Sequence, residues 1–353
     1  MQIKSYIKSL PLDPELKRRI LMTVSCNDSN YIYKVDHAGE IFTDQDYNYQ
    51  LMHNGLKVIE GAYHGRGITE IIRLLRGHHE PQEEKAFYEI MKHIREGSTM
   101  IELGSHWSYY SMWFQKEVLN AINYMIEPDP NNIEVGKENF RINNKRGFFF
   151  CASVGSESSP PKPFECESDN QIRMIPQISV DDFLETNYID NVEMLFADIQ
   201  GYELQMLEGA IKSILNRKIR FLFLSTHHHL ISNDPIIHHK CLDFLKKYGA
   251  HIIVSHTVSE SFSGDGLIVA SLYENDKIIS EILISKNNPT NSLFREIEFD
   301  LADANSEIQS LKTKIECMKN NFDLLYNRKV NNYNLITKFL IRIKKIIFKY
   351  LIK

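Results

Sequence analysis

Ser98-Thr99-Met100-Ile101-Glu102-Leu103-Gly104-Ser105-His106-Trp107-Ser108-Tyr109-Tyr110-Ser111 is the stretch around which the chain reads as a fold. The apolar run Met100 to Leu103 is too short for a helix and is bounded by turn formers, which predicts a buried strand. Glu102 sits near its end, Gly104 and Ser105 make a turn, and a helix-compatible segment runs from about Tyr109 to Leu119. Strand, tight turn of small residues and helix is how a doubly wound α/β sheet builds a crevice at its strand ends. Small residues let backbone approach a ligand, and the helix start offers unpaired N–H groups. A second apolar run, Ile122 to Ile126, ends in Glu127, a spacing of 25 residues from Glu102. That is near the roughly 20-residue offset at which a carboxylate meets ribose hydroxyls in such sheets. The pair of strands therefore predicts a nucleoside site.

Composition sets the outer bounds. A chain of 353 residues with 43% hydrophobic residues can bury one large core or two smaller ones. A net charge of −5 makes no general case for nucleic-acid binding. The five cysteines, Cys26, Cys151, Cys166, Cys241 and Cys317, form no CxxC pair, which suggests a reducing compartment and argues against a structural zinc site. The opening MQIKSYIKSLPLDPELKRR lacks the apolar centre of a signal peptide, and no run of about 18 uncharged apolar residues suggests a membrane span. A cytoplasmic protein is expected.

Residues 1–75 are expected to form an accessory region, with a helix starting at Asp13 and short strands at Tyr31 to Lys34 and Leu56 to Ile59. Glu80-Pro81 opens a helix whose Phe87, Ile90, Met91 and Ile94 face the sheet. His78, His79, Glu80 and Glu83 then either cap that helix or overhang the crevice. Further on, α/β rhythm predicts a helix over 131–143, a third strand from Phe148 to Val154 and a surface loop from Ser156 to Asp169. A helix capped by Ser179 follows, then a strand ending at Asp198, a helix from Glu203 to Ile214 and a strand from Phe221 into His227, His228 and His229. A helix from Ile237 to Tyr248 closes at Gly249. Ile252 to Val254 and Leu267 to Ser271, joined by a loop, read as a terminal antiparallel pair.

From about Arg76 to Ser271 the sequence resembles the FkbM-type methyltransferases. The matching blocks are EPQEEKAF, MIELGSHWSYYS, IEPDPNN, ISVDDFL, FADIQGYELQMLEGA, STHHH and HIIVSHTVSESFSGDGLIV. The resemblance implies a class I, Rossmann-like seven-stranded α/β sheet with an antiparallel terminal pair over 76–275. It also implies S-adenosyl-L-methionine as cofactor and O-methyl transfer to a hydroxyl, often on a sugar or polyketide. The family more often has Gly where this chain has Ser108, and Glu where it has Gln200.

In-line methyl transfer needs donor and acceptor aligned and one proton accepted. Donor binding is expected at Glu102, Gly104 and Ser105 near the methionine part, Glu127 on the ribose, Ser153 near the adenine, and Glu80 and Asp198 beside them. A neutral imidazole suits proton acceptance near pH 7, so His227, His228 or His229 is the expected base, with Asp198 orienting the acceptor or taking the proton itself. A divalent ion held by histidine, Asp198, Glu203 and Asp265 would use the same residues, but no metal-ligand spacing supports it, and the primary reading contains no metal. A catalytically degenerate scaffold, working through the carboxyl-terminal helices, is a competing reading. A nicotinamide-dependent oxidoreductase is disfavoured by the missing second and third glycines of the turn.

Leu301, Ala304, Ile308, Leu311, Ile315, Met318, Phe322 and Leu325 follow coiled-coil spacing within 276–329, which predicts either a homo-oligomer or a helix folded back on the domain. Residues 330–353 carry only positive charge. Ile336, Phe339, Leu340, Ile343, Ile347 and Tyr350 fall on one side of a wheel, with Lys338, Arg342, Lys345 and Lys349 on another. That pattern predicts a helix on the anionic inner face of a membrane, suited to a lipid-linked glycan acceptor.

Overall fold

The computed structural model describes residues 2–44, 47–294, 304–319 and 337–344. They fall into two compact units, 1–299 and 300–353. The first is built on a seven-stranded sheet, its strands numbered here in chain order: β1 Thr99–Leu103, β2 Ile122–Glu127, β3 Phe148–Cys151, β4 Val192–Ala197, β5 Ile219–Thr226, β6 His251–His256 and β7 Gly266–Ser271. Their order is β6-β7-β5-β4-β1-β2-β3. β7 runs antiparallel to β5 and β6, while β1 to β5 are mutually parallel where they pair.

Both faces are covered, as a sheet with a parallel centre requires. Alternate residues explain how. Met100, Phe196, Phe223 and Val269 join one core, and Ile101, Leu195, Leu222 and Ile268 join the other. The first core also contains Ile7, Ile20, Met52 and Ile71, so the amino-terminal region shares the sheet's apolar interior instead of standing apart from it. Its helix Pro14–Thr23 is capped by Asp13 as expected. Tyr31 to Lys34 form no strand; the three-stranded meander there comprises Ile41–Thr43, Asn48–Leu51 and Lys57–Ile59.

Helices Pro81–Met91, Tyr109–Glu117, Pro130–Ile142 and Ile237–Lys247 agree with the periodicity, and Ser179 Oγ accepts the Asp182 N–H at the start of Val180–Thr186. The segment after Glu203 breaks into Glu203–Glu208 and Ile211–Leu215. The expected third strand ends at Cys151, and Ser153–Val154 joins a separate sheet. The expected surface loop is a further correction. Ser159–Glu165 is a strand, paired antiparallel with Ile172–Ile178. Its prolines mask it: a register shift lies between Ser159 and Lys162, where Pro160 and Pro161 fall, and edge strands and bulges are where proline is tolerated.

The second unit contains helical residues 304–319 and 337–344. Ile308, Leu311, Ile315 and Met318 are exposed on the first and Phe339, Leu340 and Ile343 on the second. Leu301, Phe322, Leu325, Ile336, Lys345, Ile347, Lys349 and Tyr350 lie outside the described residues. Among the described residues, no helix is long and apolar enough to cross a membrane.

Candidate active site

Register builds the site. Leu103 pairs with Ile126 on one side and Ala197 on the other, so Gly104, Glu127 and Asp198 emerge level at the carboxyl edge of three adjacent strands. Gly104 N–H donates to Ile126 O at 2.9 Å, and Asp198 N–H donates to Leu103 O at 3.0 Å, which ties the three ends together. They open into a cleft of about 390 Å³, lined also by Tyr63, His106, Ser153 and Lys162. That volume lies in the range of nucleoside-sized sites.

Glu127 is fixed before any ligand arrives. Its Oε2 accepts the His106 N–H at 3.1 Å and its Oε1 the Asp129 N–H at 3.0 Å. Burial pushes its carboxyl up to about 7, against those two donors. Ser153 Oγ donates to Pro176 O at 3.4 Å on the same rim. Glu102 lies beneath the cleft and accepts the Ser111 N–H at 3.0 Å, holding the first turn of the Tyr109–Glu117 helix; burial raises it to about 8. Ser105 is also buried, its hydroxyl without a protein partner. Left-handed backbone at Gly104 (φ 72°), His106 (φ 37°) and Ser108 (φ 59°) shapes this loop. Non-glycine residues held so are strained, and such strain concentrates at functional sites.

Behind Asp198, outside the cleft lining, stands the buried His227. Its Nδ1 is 2.8 Å from Glu203 Oε1, and its Nε2 is 3.0 Å from Asp198 Oδ1 and 3.9 Å from Asp265 Oδ1. The Glu203 contact is a hydrogen bond, whereas the Asp198 contact lies at ion-pair distance without hydrogen-bond alignment. Burial favours the neutral ring, but the charges of Glu203 and Asp265 and the contact with Asp198 outweigh it and hold His227 well above its ordinary value. For Asp198 the balance reverses: burial acts upward, and His227 brings the carboxyl below its usual range. Burial pushes Asp265 up to about 6, with Asp198 adding and His227 opposing.

None of the three consecutive histidines is among the residues lining the cleft. His228 caps the short His229–Ser232 helix and stacks on Phe294, with centroids 4.3 Å apart; His229 packs against His228 at 4.0 Å. Glu80 stands beside His79, and its charge acts on Tyr63 and Asp265. The sequence-based reading missed Tyr63 and His64, which enter from the amino-terminal region, and the hairpin residues Lys162 to Glu165 and Gln177. The Tyr63-His64-Gly65 turn and the prolines carry no chemical signature that would have marked them.

His227, Asp198, Glu203 and Asp265 do gather, with Glu203 on the Nδ1 side of the ring and Asp198 and Asp265 on the Nε2 side. Among the described residues, potential ligand atoms of His53, His78 and Glu84 lie within 4.8 Å of one another. The two rings stack at 4.0 Å with 16° between planes, so one ion cannot lie in both ring planes. This group is a hydrogen-bonded core, in which His53 Nδ1 meets Tyr109 OH at 3.0 Å and His78 Nδ1 meets Glu84 Oε2.

A seven-stranded sheet in this order, with a reversed β7 and a small-residue turn after β1, defines a class I methyltransferase fold. The sequence profile of the methyltransferase FkbM domain matches residues 61–252, more than half the chain, and the chain belongs to that family. Its methyl donor is S-adenosyl-L-methionine. Solved structures with similarity include a precorrin-6y C5,15-methyltransferase from Geobacter metallireducens (11% identity, 53% of this chain and 87% of that one, TM-score 0.35). M. capricolum TrmK in complex with S-adenosyl-homocysteine (11%, 55% and 74%, 0.35) is another. A SAM-dependent methyltransferase from Aquifex aeolicus (12%, 53% and 89%, 0.31) is a third. A search of curated proteins finds no match. The residues fit the donor: Gly104 presents no side chain, and Glu127 offers a buried, pre-oriented carboxyl group at the end of the neighbouring strand.

Proposed function

We propose that the protein transfers a methyl group from S-adenosyl-L-methionine to a hydroxyl of a sugar, in a cell-surface glycan or its lipid-linked precursor. The observation that carries this reading is Asp198, which lines the cleft level with Gly104 and Glu127 and sits between that end and the charged His227. The bound donor would supply an electrophilic methyl carbon. A neutral hydroxyl must shed its proton as it is methylated, and a carboxylate at the boundary of donor and acceptor is placed to receive it. Asp198 takes that role in this proposal, Asp265 shares the acceptor hydroxyls, and His227 holds the two acids in place instead of acting as the base. Glu80, Asp198 and Asp265 together suit an acceptor rich in hydroxyl donors.

Helix 304–319, with its exposed apolar residues, would join a second copy. The 337–344 helix, with Lys338 and Arg342 beside Phe339 and Ile343, would rest on anionic lipid at the inner membrane face. S-adenosylhomocysteine production on a panel of free and lipid-linked sugars tests the reaction, with mass spectrometry to place the methyl. Donor binding without turnover on any hydroxyl would favour the scaffold. Flotation with anionic liposomes, with and without residues 330–353, tests the membrane arm; equal recovery would remove it.

A further inference from the structure

Asp129 lines the cleft and is 2% exposed, and its two carboxylate oxygens have different tasks. Oδ1 accepts the Asn131 N–H at 2.9 Å and so caps the Pro130–Ile142 helix. Oδ2 accepts the Ser168 N–H at 2.9 Å, from the turn that joins strands Ser159–Glu165 and Ile172–Ile178. Asn131 reinforces that contact, its Nδ2 donating to Ser168 Oγ at 2.9 Å and to Asp169 Oδ2 at 3.2 Å. Within the hairpin Arg173 holds both Asp169 oxygens, at 2.7 and 2.6 Å. The hairpin depends on this tie. Its strand Ile172–Ile178 is fixed to the cleft rim where Gln177 and Ile178 pair with Ser153–Val154, but Ser159–Glu165 is the edge strand and pairs with Ile172–Ile178 alone. Lys162, Pro163, Phe164 and Glu165 of that edge strand line the cleft. The Asp129 N–H also donates to Glu127 Oε1 at 3.0 Å, so one residue joins the strand-end acid, the helix start and the hairpin tip.

We propose that Asp129 is a positioning residue for the methyl donor: its second carboxylate oxygen latches the hairpin tip to the helix start and so sets Phe164 and Lys162 in the wall of the donor cleft. The role rests on the cleft as the donor site and is independent of the acceptor. A helix cap needs one oxygen, which asparagine or serine supplies as well as aspartate. The Ser168 contact, across 39 residues of sequence, is the one a cap does not need. A buried hydrogen bond to a charged group is worth more than an exposed ion pair. Asp129 therefore outweighs the exposed His64–Glu167 contact, 3.6 Å, at the same tip. The Asp129 charge opposes ionisation of Glu127. Its removal would by that route tighten a ligand whose hydroxyls donate to Glu127, the opposite sign to loss of the hairpin wall.

The test uses the full chain. Asp129→Asn offers one oxygen for two N–H groups, and Asp129→Ser keeps a capping oxygen too short to reach Ser168. Both should speed amide hydrogen exchange over residues 166–171 about tenfold, the scale of one lost hydrogen bond to a charged group, while 130–142 stays protected. Calorimetric titration should show both variants binding S-adenosylhomocysteine about tenfold more weakly than the wild type. Glu167→Gln, which leaves the Asp129 latch intact, should stay within about twofold. Wild-type affinity in the Asp129 variants, or weaker binding with 166–171 still protected, would overturn the assignment. Protection lost equally across 130–142 would reduce Asp129 to a helix cap. A wild type that binds no S-adenosylhomocysteine would overturn the donor role itself.

Discussion

A Cβ added to Gly104 would lie 1.8 Å from the carbonyl oxygen of Asp198. The two strand ends pass so closely because β1 and β4 are paired to their last residues, Leu103 against Ala197. Neither backbone can withdraw without losing the Asp198 N–H bond to Leu103 O. Donor turn and proposed base are therefore one rigid unit.

Gly104→Ala is accordingly expected to cost about 2–4 kcal/mol, combining overpacking with left-handed strain at φ 72°. S-adenosylhomocysteine affinity should fall at least about tenfold, as about 1.4 kcal/mol of misplacement requires. Denaturant titration and calorimetry would read both. A loss under about 0.5 kcal/mol, the level of an ordinary surface change, would show that the strand ends can part.

Ser108 occupies a left-handed position where the family more often has glycine, and Gly136 on the facing helix makes room for it: a Cβ there would meet Ser108 Oγ at 2.6 Å. Gly136→Ala should destabilise the wild type by about 1–2 kcal/mol although alanine is the better helix former by about 1 kcal/mol. In a Ser108→Gly background most of that cost should vanish. Additive effects in the four-protein cycle would dissolve the link between these positions.

Buried Glu127 and Glu102 are raised to about 7 and about 8. An acid whose folded pKa is raised contributes stability that is fully present below its unfolded value and is lost as pH climbs through the folded one. Thermal stability should thus fall between pH 5 and 8 on account of these groups, and Glu127→Gln should flatten part of that slope. Ribose hydroxyls donating to Glu127, as its proposed role has them, would favour its ionised form, so S-adenosylhomocysteine binding near pH 6.5 should release protons. Calorimetry in buffers of different ionisation enthalpy measures the release; an equal value in Glu127→Gln would place the protons elsewhere.

Asp198→Asn should lower turnover by about 10²–10⁴, the usual scale of a lost proton acceptor, while donor affinity changes little. Asp265, pushed up to about 6, ionises above that pH, so turnover should rise through pH 6 and Asp265→Asn should lose that limb. An unchanged acid limb in Asp265→Asn would assign it to another group. His227→Gln should cost less than Asp198→Asn; the reverse ranking would restore the imidazole as base.

The amino-acid sequence determined the strands, most helices and the acids at the strand ends, because period, turn residues and length are local properties. Ile122 to Glu127 and the reversed pair at β6 and β7 were readable for that reason. The FkbM resemblance added the cofactor. Tertiary structure alone decided which polar residues meet. Three consecutive histidines look equivalent in sequence, yet only His227 has its ring between Glu203 and Asp198, since Glu203 comes from another segment. The hairpin over the cleft was hidden because edge pairing tolerates prolines that a single strand would not advertise. Tyr63 joined the site through packing of the amino-terminal region on the sheet, a long-range contact that no local pattern encodes.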